Sequence, residues 1–184
     1  MKKLATMLKI AAVMAVALFL GGGCENESLG DEVLIDDEVK TCFNLVNEFR
    51  TGNEAWYFSD DTKTTKTSLV GKLGELTLDE ELCKAAAIRA EEIVKSFSHT
   101  RPNGSKCFTV LKECGISYGS AGENIAAGNK SGEKTFIQWK EDDLPKSQQG
   151  HRINMLGNFT KIGLAYTYAP NSTYKYYWVM ILTN

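Results

Sequence analysis

Residues 162–182 have the sequence IGLAYTYAPNSTYKYYWVMIL, and they decide the fold class. Two runs rich in aromatic and β-branched residues, 162–168 and 176–182, flank a turn at Pro170-Asn171. This pattern is typical of an antiparallel β-hairpin. The segments before the hairpin carry apolar residues at helical spacing. Helices first and strands last predict an α+β domain in which helices cover a sheet.

Two long helices are predicted upstream of the hairpin. The first covers residues 38–50, and Asp36-Asp37 can cap its start. The second begins at Thr77-Leu78-Asp79-Glu80, which has the form of a capping box, and runs to about Phe97. The predicted buried face of this second helix carries Leu82, Ala85, Ala86, Arg89, Ile93 and Phe97. Arg89 interrupts this otherwise apolar face, so it is a candidate buried hydrogen-bonding anchor.

Three shorter helices and one ambiguous segment complete the predicted elements. In the segment 51–75, Ala55–Ser59 could be a strand, and the threonine-rich stretch after it could be a loop or the return strand of a hairpin. The short helices are predicted over residues 105–114 with Ser105 as cap and Gly115 as stop, over 131–142 with Phe136 and Trp139 inward, and over 151–156.

Residues 1–23 are predicted to be an export signal that takes no part in the fold. A basic start with three lysines precedes an apolar run over residues 10–20, which is shorter than the ~20 residues needed to span a bilayer. Gly21-Gly22-Gly23 then lead into Cys24, as in bacterial lipoprotein signals. We therefore expect an exported chain that is lipidated at Cys24 and anchored in envelope lipid, with a plain secretory signal as the alternative.

The predicted mature chain is acidic. Residues 24–37 are acidic and lack aromatic side chains, so they are expected to form a solvated tether, and residues 38–184 suit one domain. Loss of the signal removes three lysines and lowers the formal net charge from −2 to −5. No basic patch remains that would favour nucleic acid as a partner.

Four cysteines follow Cys24, namely Cys42, Cys83, Cys107 and Cys114. An even count in an exported chain permits two disulfides, with three pairings. We favour Cys107 with Cys114, which are close in sequence, and Cys42 with Cys83. The alternative is four buried free thiols. A metal cluster of cysteines is disfavoured because the chain contains no CxxC pair.

The two histidines of the chain lie in short polar segments. His99 is part of Ser98–Gly104, beside a Pro-Asn-Gly turn, and His151 is part of Gly150–Asn154. Glu123 lies between them in sequence. Imidazole is the side chain best suited to metal ligation and proton transfer near neutral pH. If these segments meet in space, they form one polar site with a carboxylate.

The chain resembles the CAP superfamily, whose name joins cysteine-rich secretory proteins, antigen 5 and pathogenesis-related proteins, and it is most similar to the bacterial SCP-like extracellular branch. The similarity covers residues 38–184, and the ordered set of motifs is more specific than any one of them. These motifs are Leu45–Arg50, Leu76–Ala86, Phe97–Gly104, Gly122–Ala126, Trp139, Gly150–Leu156, Ile162–Ala165 and Tyr177–Val179.

This resemblance implies a three-layer α-β-α sandwich with a central, mainly antiparallel sheet. It also implies a cleft that holds two histidines and two acidic residues. His99 and His151 match the histidines, and Glu123 matches the first acid. The segment 51–75 is longer than the corresponding bacterial connection, so a hairpin is expected near the cleft or on its far side.

The resemblance leaves three candidates for the second acid of the cleft. It usually follows the tryptophan by three positions, which gives Asp142. The stretch Lys140–Gln149 is longer than the usual bacterial spacing. Glu141 and Asp143 are therefore alternatives.

Two neutral imidazoles can bind zinc or another divalent ion and leave positions open for water or a ligand. Glu123 could hold the second nitrogen of one ring, orient a histidine without metal, or fix loops in a buried polar network. Three functions are considered. They are a binding module for a metal ion, lipid, glycan or peptide, a metal-dependent hydrolase with Glu123 as its catalytic residue, and a structural or interaction protein of the envelope.

Overall fold

The computed structural model describes residues 35–184. The predicted signal, Cys24 and most of the predicted tether lie outside these residues. In the described part, no helix combines the length and the apolar character needed to cross a bilayer. The elements in chain order are α1 (Asp37–Thr51), β1 (Trp56–Phe58), β2 (Lys66–Ser68), β3 (Thr77–Leu78), α2 (Glu80–Lys95), α3 (Thr109–Glu113), β4 (Ala121–Ala127), α4 (Gly132–Lys140), a 3₁₀ turn (Lys146–Gln148), α5 (Gly150–Met155), β5 (Lys161–Tyr168) and β6 (Tyr176–Thr183).

A four-stranded sheet in the order β3-β5-β6-β4 forms the middle layer. Strands β4 and β5 both pair antiparallel with β6, so Val179 is flanked by Ile125 on one side and by Ala165 on the other. Strand β3 pairs in parallel with β5. The predicted C-terminal hairpin is confirmed as β5 and β6, and the sheet is mainly antiparallel as predicted.

Each face of the sheet packs against helices. Side chains of β6 alternate between the two faces because successive residues of a strand point in opposite directions. Trp178, Met180 and Leu182 join the core that contains α1 and α4 residues. Tyr177, Val179 and Ile181 join the core that contains α2 and α3 residues. The predicted three-layer α-β-α sandwich is confirmed.

The N-termini of the two long helices are capped by aspartates. The Asp36 carboxylate accepts a hydrogen bond from the Val39 amide at 2.9 Å, as predicted for α1. The cap of α2 differs from the prediction, because Thr77 lies in β3 and Asp79 accepts from the Leu82 amide at 3.0 Å. Strand pairing with β5 keeps Thr77 extended, so the cap lies two residues later, at Asp79.

Two further helix ends depart from the sequence prediction. Helix α2 ends at Lys95, and Phe97 lies beyond it with 49% of its surface exposed instead of on the buried face. Helix α3 is shorter than the predicted 105–114 and has no side-chain cap, because Ser105 bonds to Asn103 within the preceding turn. Gly115 ends α3 as predicted, with a left-handed φ of 70°.

The segment 51–75 contains the hairpin β1–β2, which settles the open alternative in favour of a return strand. This hairpin lies against the segment that carries His151. The Phe58 amide donates to the side chain of buried Gln149 at 2.7 Å. Arg152 donates to the carbonyl of Glu54 at 2.8 Å and to that of Trp56. The hairpin therefore supports one wall of the predicted cleft.

The prediction of two disulfides was wrong, and the alternative of free thiols is what the structure shows. Cys42 lies in the core on the α1 face, whereas Cys83 belongs to α2, which packs on the other face. The Cys83 sulfur accepts a hydrogen bond from the Leu164 amide at 3.4 Å. Cys107 and Cys114 lie at opposite ends of the short segment around α3, and neither is bonded to the other.

Candidate functional site

His99 and His151 line one cleft, together with Glu123 and Glu141. The cleft has a volume of about 430 Å³. Its walls come from the loop after α2, from β4, and from the stretch that runs from the end of α4 through most of α5. The structure therefore brings the two histidine segments together beside a carboxylate. The remaining lining residues are Ser147, Gln148, Gly150, Ile153 and Asn154.

The first half of the site is the pair His99 and Glu123. Glu123 lies on β4 and its side chain is 2% exposed. Its Oε1 atom accepts a hydrogen bond from Nδ1 of His99 at 2.7 Å, while Arg89 donates from Nε to Oε2 at 2.8 Å. Burial alone would raise the pKa of Glu123, but the hydrogen bonds from His99 and Arg89 hold it below its usual value. The carboxylate is therefore ionised and accepts the Nδ1 proton.

Arg89 is the buried anchor that the sequence predicted. Its side chain is fully buried, and it also donates to the Ser98 carbonyl at 2.8 Å and to Glu92 at 2.7 Å. Glu92 in turn accepts from Arg101, which follows His99 in the loop. Each end of the His99 loop is thus bound to helix α2, which restricts where the imidazole can lie.

The second half of the site is the pair His151 and Glu141. Glu141 ends α4 in a left-handed conformation with φ 49°. Its Oε1 atom accepts from Nδ1 of His151 at 2.5 Å, and Oε2 accepts from the backbone amide of His151 at 3.0 Å. Both rings of the cleft are therefore held through Nδ1 by a carboxylate.

The residue first predicted as the second acid, Asp142, does not line the cleft. Its carboxylate accepts from Arg152 at 2.6 Å and pairs with Lys140 at 3.1 Å. Asp143, the other alternative, is not among the lining residues either. Glu141 supplies the acid, since the left-handed turn at the end of α4 sends its side chain toward His151 and the next carboxylate toward the hairpin side.

Two asparagines that sequence reasoning gave no role connect the halves of the site. Asn124 on β4 donates to the carbonyl of His151 at 3.0 Å. Asn154 on α5 donates to Oδ1 of Asn124 at 2.9 Å and to the carbonyl of Glu123 at 3.2 Å. These bonds fix α5 against β4, and thereby fix the two histidine–carboxylate pairs relative to each other. Both asparagines belong to the polar segments that carry Glu123 and His151, and this position in the sequence was the signal that could have indicated a role in the site.

One more residue beside the cleft was missed by sequence reasoning, which assigned it to a disulfide. Cys107 offers a sulfur that lies within 4.8 Å of ligand atoms of His99 and Glu123. Burial, and then the charge of Glu123, raise the pKa of the Cys107 thiol to about 11. The three side chains form a geometric arrangement that could hold a metal ion, and His151 is not part of it.

Residues 43–182 match the CAP family, described as the cysteine-rich secretory protein family. Among curated proteins, the uncharacterized protein YkwD of Bacillus subtilis (strain 168) is 38% identical over 97 residues, which cover 51% of this chain and 35% of that protein. The chain thus spans about a third of the length of this relative.

Two solved structures share the fold. An extracellular protein containing a SCP domain from Bacillus anthracis is similar with a TM-score of 0.55 at 21% identity, over 79% of this chain and 39% of that chain. An outer surface protein from Borrelia burgdorferi is similar with a TM-score of 0.59 at 16% identity, over 82% of this chain and 94% of that chain. At these identities the likeness concerns the fold.

Proposed function

The chain belongs to the CAP, or cysteine-rich secretory protein, family, and from this premise we propose that its cleft binds a divalent metal ion between the Nε2 atoms of His99 and His151. Zinc is the favoured ion, since two imidazoles suit a borderline cation. Positions left open on the ion accept water or a polar group of a small ligand such as a lipid, glycan or peptide. In this proposal the chain is an exported binding module.

The observation that carries the proposal is the pairing of each ring with a carboxylate, whose side chain is 2% exposed in Glu123 and 9% exposed in Glu141. Nδ1 of His99 donates to Glu123 and Nδ1 of His151 donates to Glu141. A ring that carries its proton on Nδ1 has its lone pair on Nε2, and this atom has no hydrogen-bond partner among residues 35–184 in either ring. Metal-binding histidines are typically held by a carboxylate in this way.

The supports of the two rings are rigid. Glu123 lies in the hydrogen-bonded strand β4, and Glu141 follows directly after α4. The Asn124–Asn154 hydrogen bond joins the strand to the helix that begins beside His151. A site that is held by regular elements loses little entropy when an ion binds. With two protein nitrogens, binding should still be weaker than at a catalytic zinc with three protein ligands.

The charge distribution also favours a cation. Glu141 accepts hydrogen bonds from His151 and from the Arg152 amide, and no lysine or arginine side chain forms an ion pair with it among the described residues. Glu123 carries a negative charge that Arg89 offsets on one side. A divalent ion on the two imidazoles would lie close to both carboxylates, so its charge is compensated without direct contact.

A metal-dependent hydrolase is the second function considered from sequence, and the geometry supports it less well. A general base needs a free lone pair aimed at the attacking water. Both oxygens of Glu123 already accept hydrogen bonds, from His99 and Arg89. This favours a positioning role for Glu123 over a catalytic one.

Thermal unfolding with and without zinc tests the proposal. At a zinc concentration 100-fold above the dissociation constant, binding stabilises the folded state by about 2.7 kcal/mol, which raises the melting temperature of the mature protein. The increase should be absent in His151→Ala and present in Gln148→Ala, which removes an exposed side chain of the same cleft. An equal increase in His151→Ala, or none in the wild type, overturns the proposal.

The anchoring of the chain is a separate part of the proposal. We infer that the lipoprotein-type signal directs export and that Cys24 becomes the lipidated N-terminus. The signal pattern supports both steps, and the naming of both structurally similar proteins as extracellular or outer-surface proteins supports export alone. Metabolic labelling with an alkyne-tagged fatty acid in a bacterial host should label the wild type and not Cys24→Ala. Equal labelling of both proteins contradicts a lipid on Cys24.

A further inference from the structure

The geometry points to a second metal site, built by Cys107, His99 and Glu123, which takes a thiophilic divalent ion such as Cd²⁺. It goes beyond the two-imidazole site proposed above and does not require that site to bind metal. The two sites share His99, but the second site uses Nδ1 of the ring and the sulfur of Cys107. The thiolate makes this second site more suited to a soft ion than a site of two imidazoles is.

The ligand atoms are already close to the spacing that one ion requires. Sulfur, ring nitrogen and carboxylate oxygen all lie within 4.8 Å of one another. Ligands bound to one tetrahedral zinc at about 2.0–2.3 Å lie roughly 3–4 Å apart. Nδ1 of His99 and Oε1 of Glu123 are 2.7 Å apart. To bind one ion together, these two atoms must move apart until they are roughly 3–4 Å from each other.

The backbone holds two of the three ligands across a tight turn. The Cys107 amide donates to the His99 carbonyl at 3.1 Å, and the Arg101 amide donates to the Ser105 carbonyl at 2.9 Å. Thr100 and Lys106 form an antiparallel bridge between these two bonds. His99 and Cys107 are therefore opposite each other on a small hydrogen-bonded loop whose position does not depend on the ion.

The same loop is bound to its surroundings by a buried cation. Arg101 is 5% exposed and donates to both Glu92 and Glu113. Hydrogen bonds to these two acids raise the pKa of Arg101. With Glu123 fixed on β4 by Arg89, all three ligands lie on supports that other contacts hold in place, as a preformed metal site requires.

The protons and charges of this site balance. Binding of M²⁺ releases the thiol proton of Cys107 to solvent, and the Nδ1 proton of His99 moves through solvent to Nε2. The Nδ1–H···Oε1 hydrogen bond is replaced by one bond from each atom to the ion. Thiolate and Glu123 carboxylate together offset the two charges of the ion, and Arg89 remains on Oε2.

This proton movement makes the two sites mutually exclusive. When Nδ1 of His99 binds an ion, the ring proton lies on Nε2, and His99 no longer offers a lone pair to an ion shared with His151. A thiophilic ion bound at the second site should therefore prevent another ion from binding between His99 and His151. The cleft would respond differently to zinc and to cadmium.

Cadmium titration of the purified mature protein under a phosphine reductant tests the second site. The measurement is the ultraviolet charge-transfer absorption of a cadmium–thiolate bond. Wild type should develop the band, and Cys107→Ser and His99→Ala should lose it. Cys114→Ser, which alters the other cysteine of the same segment, should keep it, and so should His151→Ala.

Each outcome separates this site from the two-imidazole site. A band that persists in Cys107→Ser, or that is lost in His151→Ala, overturns the second site, and so does a wild type without a band. Retention of the zinc-dependent melting shift in Cys107→Ser would then leave the two-imidazole site standing. A cadmium–thiolate band in His151→Ala, together with no zinc-dependent melting shift in the wild type, would support the second site and overturn the two-imidazole site. Near-ultraviolet circular dichroism of each variant confirms that it is folded.

Discussion

Glu141 binds His151 at two points, with Oε1 on Nδ1 of the ring and Oε2 on the backbone amide. This arrangement sets both the tautomer of the ring and its direction, because the carboxylate is itself held at the end of α4. Asp142, one residue later, pairs with Arg152 and Lys140. Two adjacent acids therefore have separate tasks, one in the cleft and one between the helix end and the hairpin side.

The first prediction compares these two acids. Glu141→Gln removes the carboxylate that holds His151 and should weaken zinc binding roughly 10–100-fold, the usual effect of losing such a partner. Asp142→Asn should leave zinc affinity unchanged, since this side chain does not reach the cleft. Isothermal titration of both variants measures the difference. Equal affinities would show that Glu141 does not position the ligand.

The second prediction concerns the start of α2. Asp79→Ala removes the side-chain cap on the Leu82 amide and the ion pair with Lys161. The free energy of unfolding should fall by about 1 kcal/mol or slightly more. Thr77→Ala should change it by less than about 0.5 kcal/mol, because Thr77 is an exposed strand residue. Urea unfolding of the pair distinguishes them, and a larger loss for Thr77→Ala would favour the capping box that the sequence suggested.

The third prediction concerns the contact between α2 and β5. A Cβ atom on Gly163 would lie 2.2 Å from the carbonyl carbon of Leu82, which belongs to the helix backbone and cannot move alone. Gly163→Ala should destabilise the fold by roughly 2–3 kcal/mol or more. Gly74→Ala is the matched control, since a Cβ there meets nothing within 4 Å. Similar melting temperatures for the two variants would contradict the close packing of helix on strand.

The fourth prediction is a pH dependence at Glu92. Burial raises the pKa of this acid, but hydrogen bonds from Arg101 and Arg89 outweigh burial and lower it. A pKa that is lower in the folded state means that the stabilisation is complete above the unfolded value of about 4.3. It is lost as the pH falls through the folded value.

The variant Glu92→Gln should therefore be less stable than wild type at neutral pH. The difference in the free energy of unfolding should shrink as the pH is lowered into the acidic range. Denaturant unfolding at a series of pH values measures it. A difference that stays constant down to the lowest pH, or that grows there, would contradict a pKa lowered by the two arginines.

The sequence predicted the parts of the fold that depend on periodicity. The C-terminal hairpin, the helix with Phe136 and Trp139 inward, and the buried position of Arg89 follow from patterns that each segment carries in itself. The prediction of Phe97 on the buried face of α2 was wrong, because the helix ends two residues earlier. Helix ends depend on which backbone groups find partners elsewhere, and the sequence pattern does not contain that information.

The sequence pointed to His99, His151 and Glu123, which line one cleft. It placed Asp142 before Glu141 as the second acid and assigned Cys107 to a disulfide. The family resemblance indicated Asp142 first, but a single left-handed residue at the end of α4 decides which of two adjacent acids meets His151. The even number of cysteines permitted two disulfides, but the count does not say which sulfur atoms lie close together in the folded chain. The role of Cys107 beside Glu123 depends on the turn after α2, so only coordinates could reveal it.

The most direct measurement is an anomalous-diffraction experiment on a crystal of the mature protein soaked in zinc. The two-imidazole proposal predicts a zinc peak in the cleft, about 2.0–2.1 Å from Nε2 of His99 and from Nε2 of His151. A crystal with no zinc in the cleft, or with zinc bound there without His151, would contradict it.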